Sequence, residues 1–209
     1  MHDAATRRRI FLAYAPVAAR AANLALLLAA LAALPAQAGQ TTVVQLDPGQ
    51  TSIAFLLEGS LHDTHGTFKL KTGTMQFDPA TGAASGSIVV DVTSGDTGNS
   101  SRDRKMHSDV LESAKFGEAV FTPQQLIGSV APEGASRVDV KGLLHIHGAD
   151  HAVTMRMSVT TAGGKITAQT EFGIPYAEWG MKDPSNFLLR VSGSVSVEIS
   201  AAGRITTTP

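Results

Sequence analysis

Residues 136–161 read SRVDVKGLLHIHGADHAVTMRMSVTT. Val138, Val140, Leu144 and Ile146 share one parity, and Asp139, Lys141, His145 and His147 take the other. Val153, Met155, Met157 and Val159 then alternate with Thr154, Arg156 and Ser158. A strand sends successive side chains to opposite faces, so this period of two marks half-buried strands rather than a helix. The same pattern runs through Ile88, Val90 and Val92, and through Val191, Val195, Val197 and Ile199.

Turn chemistry separates the runs. Asp47-Pro48-Gly49, Asp78-Pro79-Ala80-Thr81-Gly82, Pro132-Glu133-Gly134 and Ala162-Gly163-Gly164 all carry residues that favour tight turns. Gly163-Gly164 between two alternating runs predicts a hairpin. The spacing predicts eight or nine strands, near 42–47, 51–59, 66–78, 85–94, 118–129, 136–147, 151–161, 164–175 and 187–200. One stretch breaks the pattern. Residues 99–116, NSSRDRKMHSDVLESAKF, are polar and lack period two, which predicts one short helical insertion with Ser100 or Ser101 as its cap. The fold class is therefore all-β and antiparallel. Periodicity alone leaves a sandwich and a closed barrel equally open.

Composition narrows the chemistry. The 209 residues are 17% charged and 5% aromatic and contain no Cys. That excludes disulfides, thiolate metal sites, a thiol nucleophile and a lipidated-Cys anchor. A formal charge of −1 supplies no basic field for nucleic acid.

The N-terminus has the form of an export signal. Arg7, Arg8 and Arg9 precede an apolar run from Ala21 to Leu34, and Ala36-Gln37-Ala38 has the small-residue cleavage pattern. Arg8-Arg9-Ile10-Phe11-Leu12 also resembles a twin-arginine motif, so the route stays open. The run is too short for a span, which takes roughly 20 apolar residues. The expected organisation is a leader over 1–38 and one domain over 39–209. Removing the leader takes four Arg and one Asp from a net charge of −1 and leaves −4. The expectation is a periplasmic protein with no membrane span after cleavage.

The ordered landmarks resemble the YceI-like family. They are Ser52-Ile53-Ala54-Phe55, Gly66-Thr67-Phe68, Gly73 to Asp78, Gly86 to Asp91 with Ser94, Arg102-Asp103 with Met106, Ser108 and Leu111, Ala114-Lys115-Phe116, Ala119-Val120-Phe121, and Gly142 to Gly148. The resemblance covers residues 42–200. It implies an eight-stranded antiparallel lipocalin-like barrel around a long apolar cavity, with the 99–116 segment at one end. It also implies binding of a polyisoprenoid or fatty-acyl lipid rather than catalysis. The chain departs from the family pattern at His151, where a basic residue is common, and in the elaborate stretch 175–187, PYAEWGMKDPSNF.

Inward parity makes Phe55, Phe68, Phe77, Val90, Met155, Met157 and Phe172 the candidate ligand-binding residues, with Trp179 at the rim beside Tyr176 and Met181. Methionine suits flexible apolar ligands because it is unbranched and polarizable. Arg102, Lys105 and Lys182 are candidate head-group anchors, and Arg102-Asp103 a candidate local ion pair. A filled core serving a histidine-based metal site or a stress-related interaction module is the alternative. His62-x-x-His65 and His145-x-His147 with His151 are its candidate ligands, although Leu144 and Ile146 turn His145 and His147 outward. No catalytic motif such as G-x-S-x-G or a P-loop occurs, and no cofactor or metal is called for. The partner expected is a hydrophobic small molecule, and association into an oligomer is left open.

Overall fold

The computed structural model describes residues 40–185 and 190–208. The expected leader lies outside the described residues, which belong to one compact unit, Gly39–Pro209. Among the described residues there are nine strands: β1 (Thr41–Leu46), β2 (Ser52–Leu57), β3 (Thr64–Phe77), β4 (Ala84–Asp96), β5 (Glu118–Ile127), β6 (Gly134–Ile146), β7 (Ala149–Ala162), β8 (Lys165–Ile174) and β9 (Val195–Thr208). Every pairing is antiparallel.

The sheet closes on itself. Neighbours run β3-β2-β9-β8-β7-β6-β5-β4, and a further β3–β4 pairing completes the ring. β1 and β2 occupy a single position in that ring, since both lie between β3 and β9. Val43 faces Gln76 and Thr206, whereas Phe55 faces Gly66 and Val197. Nine strands thus make an eight-stranded barrel. Between the two half-strands a 3-10 turn spans Pro48–Gln50, and the Asp47 side chain accepts a 2.8 Å bond from the Gly49 N–H. Pro48 supplies the fixed φ that such a first turn takes.

Local chemistry sets the other corners. Gly163 and Gly164, at φ +56° and +73°, form the two-residue turn between β7 and β8. His147 and Gly148, at +51° and +80°, form the turn between β6 and β7. Bulges interrupt the β3–β4 register at Thr67/Lys69 and Leu70/Thr72, and the β5–β6 register at Pro123/Gln125. Pro123 is fully buried and faces Gly142. Proline cannot donate to the ladder, so in a sheet it needs a position such as this bulge.

The last strand departs from expectation. The sequence places it over 187–200; 187–189 lie outside the described residues, and among those described β9 begins at Val195 and runs to Thr208. Residues 190–194 instead fold toward the loop after β2, where Ser192 N–H bonds the Glu58 carbonyl at 2.8 Å and Val191 bridges Gly59. β9 is long because one strand must pair with β2, through Ser200, and with β1, from Gly203 on. The apolar alternation fades at Ala201-Ala202-Gly203, where the β1 backbone comes close: a Cβ on Gly203 would lie 2.2 Å from the Gln45 carbonyl oxygen.

Gly142 is similarly constrained, since a Cβ there would meet the Thr122 carbonyl at 2.3 Å and the Phe121 ring at 2.7 Å. Gly142→Ala should therefore destabilise the barrel by about 1–3 kcal/mol, the usual cost of overpacking. Urea denaturation checks this, and an unchanged midpoint contradicts the packing described.

Candidate functional site: a two-part cavity inside the barrel

The barrel interior is not filled. A deep cavity of about 150 Å³ lies among Ile53, Leu70, Val90, Phe121, Met155 and Phe172, and among the described residues Thr51 is the one polar residue in its lining. A larger cavity of about 480 Å³ opens toward one end, bounded by Phe55, Leu57, Met106, Leu111, Tyr176 and Met181 among others. Phe68, Ile146, Ile174 and Val197 line both, so the two spaces adjoin. Small inward residues leave the room: Ala119 and Ala201 occupy positions where a larger side chain would reach across.

Glycines place the aromatics at the junction. Gly66 sits opposite Phe55, and a Cβ there would be 2.4 Å from the ring. Gly95 leaves space for both Phe68 and Met106, whose nearest atoms lie 2.7 and 2.8 Å from where its Cβ would stand. The Phe55 and Phe68 rings then meet at 5.3 Å between centroids, tilted by 35°. Tilted ring pairs of this kind contribute about 0.5–1.5 kcal/mol beyond area burial.

The helical insertion covers the wide end. A short helix, α1 (Ser100–Lys105), passes into a π-helical turn at Met106–Val110. The cap is Asn99 rather than Ser100 or Ser101: its side chain accepts from the Ser101 and Arg102 amides at 3.1 Å. Asparagine is a strong cap because its short carbonyl reaches the free amides of the first turn. Arg102 and Asp103 form no direct ion pair. Both use Thr97 instead: Arg102 donates to its hydroxyl and carbonyl oxygens at 2.9 and 3.0 Å, and Asp103 accepts from its N–H at 2.9 Å and hydroxyl at 2.5 Å. These Thr97 bonds, foremost the hydroxyl, hold the Asp103 carboxyl below its ordinary pKa.

Further on, His107 Nε2 donates to the Gly95 carbonyl at 2.9 Å, so in the neutral ring Nδ1 accepts from the Ser113 hydroxyl, 3.0 Å away. His147 is a second tie. Its expected outward position belongs to a strand, but it stands in a turn, packs on the Phe116 ring at 4.5 Å, and is only 13% exposed. From there it bonds Glu112 at 2.9 Å, which joins the end of the insertion to the β6–β7 corner. His145 does face outward, 51% exposed and paired with Asp150 at 2.6 Å. Of the histidines considered as ligands, His145 and His147 are each bonded to a single carboxylate. Among the described residues no group of three His, Asp or Glu is placed to hold a metal ion.

The other side of the mouth is a turn after β8. Tyr176 and Met181 are buried there, and the Tyr176 hydroxyl donates to the Ser192 carbonyl at 2.8 Å. Burial, aided by the nearby Asp183 charge, pushes the Tyr176 pKa up to about 12. Trp179 stacks flat on His151, 3.9 Å between centroids and 7° from parallel.

Six of the seven residues singled out by parity line the cavities, and the rim candidate Trp179 does not. Phe55 lies at the mouth, Phe68 at the junction, and Val90, Met155, Met157 and Phe172 in the depth. Phe77 is buried but lines neither space; it packs at the narrow end, opposite Thr42 of β1 and Ala84 of β4. Sequence reasoning missed Met106, Val110 and Leu111, although Met106 and Val110 stand four apart as apolar residues in a polar insertion.

This is a lipocalin-like closed barrel with an internal apolar cavity and one covered end. The YceI-like domain profile matches residues 44–202, and the chain belongs to that family. Among relatives, a UPF0312 protein of Vibrio parahaemolyticus is 31% identical over 100 residues, covering 47% of this chain and 51% of that protein. A UPF0312 protein of Vibrio vulnificus is 32% identical over the same span. The match reaches about half the length of these relatives. Two solved structures share the fold at 20% identity. One is a polyisoprenoid binding domain from Saccharophagus degradans implicated in plant cell wall breakdown, at TM-score 0.61 over 78% of this chain and 98% of that one. The other is Burkholderia cenocepacia BcnA, at 0.62 over 75% and 98%.

The raised Tyr176 pKa has a consequence for stability. In the unfolded chain the phenol ionises near 10, whereas in the fold it stays protonated to about 12. Its contribution is complete below pH 10 and is lost as pH rises through that window. Urea midpoints should fall between pH 10 and 12, and part of that fall should vanish in Tyr176→Phe. An identical pH profile in the variant contradicts the burial of the hydroxyl.

Proposed function

We propose that the protein is an exported carrier that sequesters a long apolar ligand, of polyisoprenoid or fatty-acyl type, inside the barrel. The observation that supports this most is the deep cavity, whose lining is apolar apart from Thr51 and continues into the wider mouth. A mouth cavity of about 480 Å³ lies in the range of small-molecule sites, about 300–1,000 Å³. Each methylene moved from water into such a space contributes about 0.8 kcal/mol, so affinity should grow with tail length until the barrel is full. The named binding activity of the Saccharophagus degradans domain, which shares this fold, agrees with that reading.

Export is the second part of the proposal. The arginine-rich start, the Ala21–Leu34 run and Ala36-Gln37-Ala38 support cleavage after Ala38 and release into the periplasm. Among the described residues no helix is long and apolar enough to cross a membrane. N-terminal sequencing of the protein from the periplasmic fraction should begin at Gly39. An intact leader, or retention in the cytoplasm, contradicts this part.

A prenol series of rising length tests the carrier reading. Binding should tighten with length and then level off. Met157→Arg, which puts an unpaired cation into the deep cavity, should weaken uptake at least about tenfold, since burying a lone charge costs several kcal/mol. Thr154→Arg, exposed on the same strand, should leave uptake unchanged. Circular dichroism of both variants keeps unfolding apart from lost binding. A folded Met157→Arg protein with unaltered uptake overturns the proposal.

A further inference from the structure

The mouth has an unusual charge inventory. Arg102, Lys105, Arg190 and His62 line it, together with Thr64, Thr97, Asn99 and Ser101, and no Asp or Glu lines either cavity among the described residues. The chain as a whole is slightly acidic, at −1. A one-sign rim on such a chain calls for a local explanation.

Five acids near the mouth are engaged by other groups. Asp103 is taken up by Thr97. Asp63 accepts from the Gly59 N–H at 3.2 Å, Asp96 from the Gly98 N–H at 2.7 Å, and Asp183 from the Ser185 N–H at 2.8 Å. Asp109 accepts from the Ser108 hydroxyl at 2.7 Å and lies 3.8 Å from Lys182, which removes that lysine from the rim. None of Arg102, Lys105 and Arg190 has a carboxylate within 4 Å among the described residues. Two bonds to Thr97 hold the Arg102 guanidinium in place with further N–H groups to offer, since the fork carries five donors. Lys105 and Met106 follow three and four residues after Arg102, on its side of the helical turn, and both line the same cavity. Below this polar rim the wall becomes wholly apolar except for Thr51.

We propose that the mouth selects amphiphiles with an oxyanion head, a phosphate or a carboxylate, held by Arg102, Lys105 and Arg190 while the tail enters the barrel. This rests on the barrel taking an apolar tail, and it names the head that the proposed function leaves open. A neutral lipid would bring no charge to three cations whose carboxylate neighbours, Asp103, Asp109 and Asp183, stand more than 4 Å off and do not line the cavity. An anionic head satisfies them and gives the bound lipid a fixed direction, tail inward.

The test compares geranylgeranyl phosphate, hexadecanoate and geranylgeraniol by displacement of a neutral fluorescent probe from the full chain. The phosphate should bind about tenfold more tightly than the alcohol at low salt, from a few partly exposed charge contacts. That advantage should shrink as ionic strength rises, because salt screens exposed charges. Lys105→Gln and Arg190→Gln should each reduce it about two- to fivefold without weakening the alcohol. Lys165→Gln, at the start of β8 and away from the mouth, should change nothing. Tight binding of both anions assigns the rim to oxyanions in general, and tight binding of one assigns it to that head. Equal binding of alcohol and anions overturns this inference while leaving the tail reading standing. Failure of all three to bind overturns the tail reading itself.

Discussion

The structure depends on one bent strand closing the ring. β1 and β2 are too short to span the barrel singly, so they share a position between β3 and β9, joined by the turn that Asp47 and Pro48 set. Closure removes free sheet edges and satisfies the ladder all round. It also fixes the interior. With eight positions a barrel is just wide enough for side chains to fill it or for one ligand to be held. Here Ala119, Ala201 and the inward valines keep the walls thin, and the centre stays open.

The two ends then differ for physical reasons. At the narrow end Phe77, Val44 and Ile166 are buried and pack the barrel shut. At the wide end a 13-residue β4 and a 13-residue β6 carry the chain out to the insertion and to the corner that receives it. The insertion is mostly polar and packs only a few apolar side chains, Met106, Val110 and Leu111, toward the core, so burial alone does not dock it. Thr97, His107 and the Glu112–His147 contact fasten it at successive points along its length. A cover held by a few hydrogen bonds over an apolar space is easier to open than a packed core.

Much of this was legible in the sequence. Period two exposed the inward faces of β2, β3, β4, β7 and β8, and with them six of the cavity residues. The bulges of β3 and β5 were not legible, because parity shifts there without a change in composition. Phe77 has the right parity for the interior but the wrong depth, and period two carries no information about depth. The end of β9 was missed because close approach to β1 requires Ala and Gly, which weaken the apolar signal, although Thr206, Thr207 and Thr208 are good strand formers. The mouth was least legible. Its residues come from β2, the insertion and the turn after β8, far apart in sequence and joined only by closure.

The account makes the interior a ligand site rather than a packed core, and native mass spectrometry tests that most directly. The protein should be purified from a host expressing the full chain and weighed intact, and its solvent extract analysed for lipids. The account predicts a stoichiometric adduct that extracts as a prenyl or fatty-acyl compound. A bare polypeptide that also takes up no added prenyl or acyl ligand would contradict it.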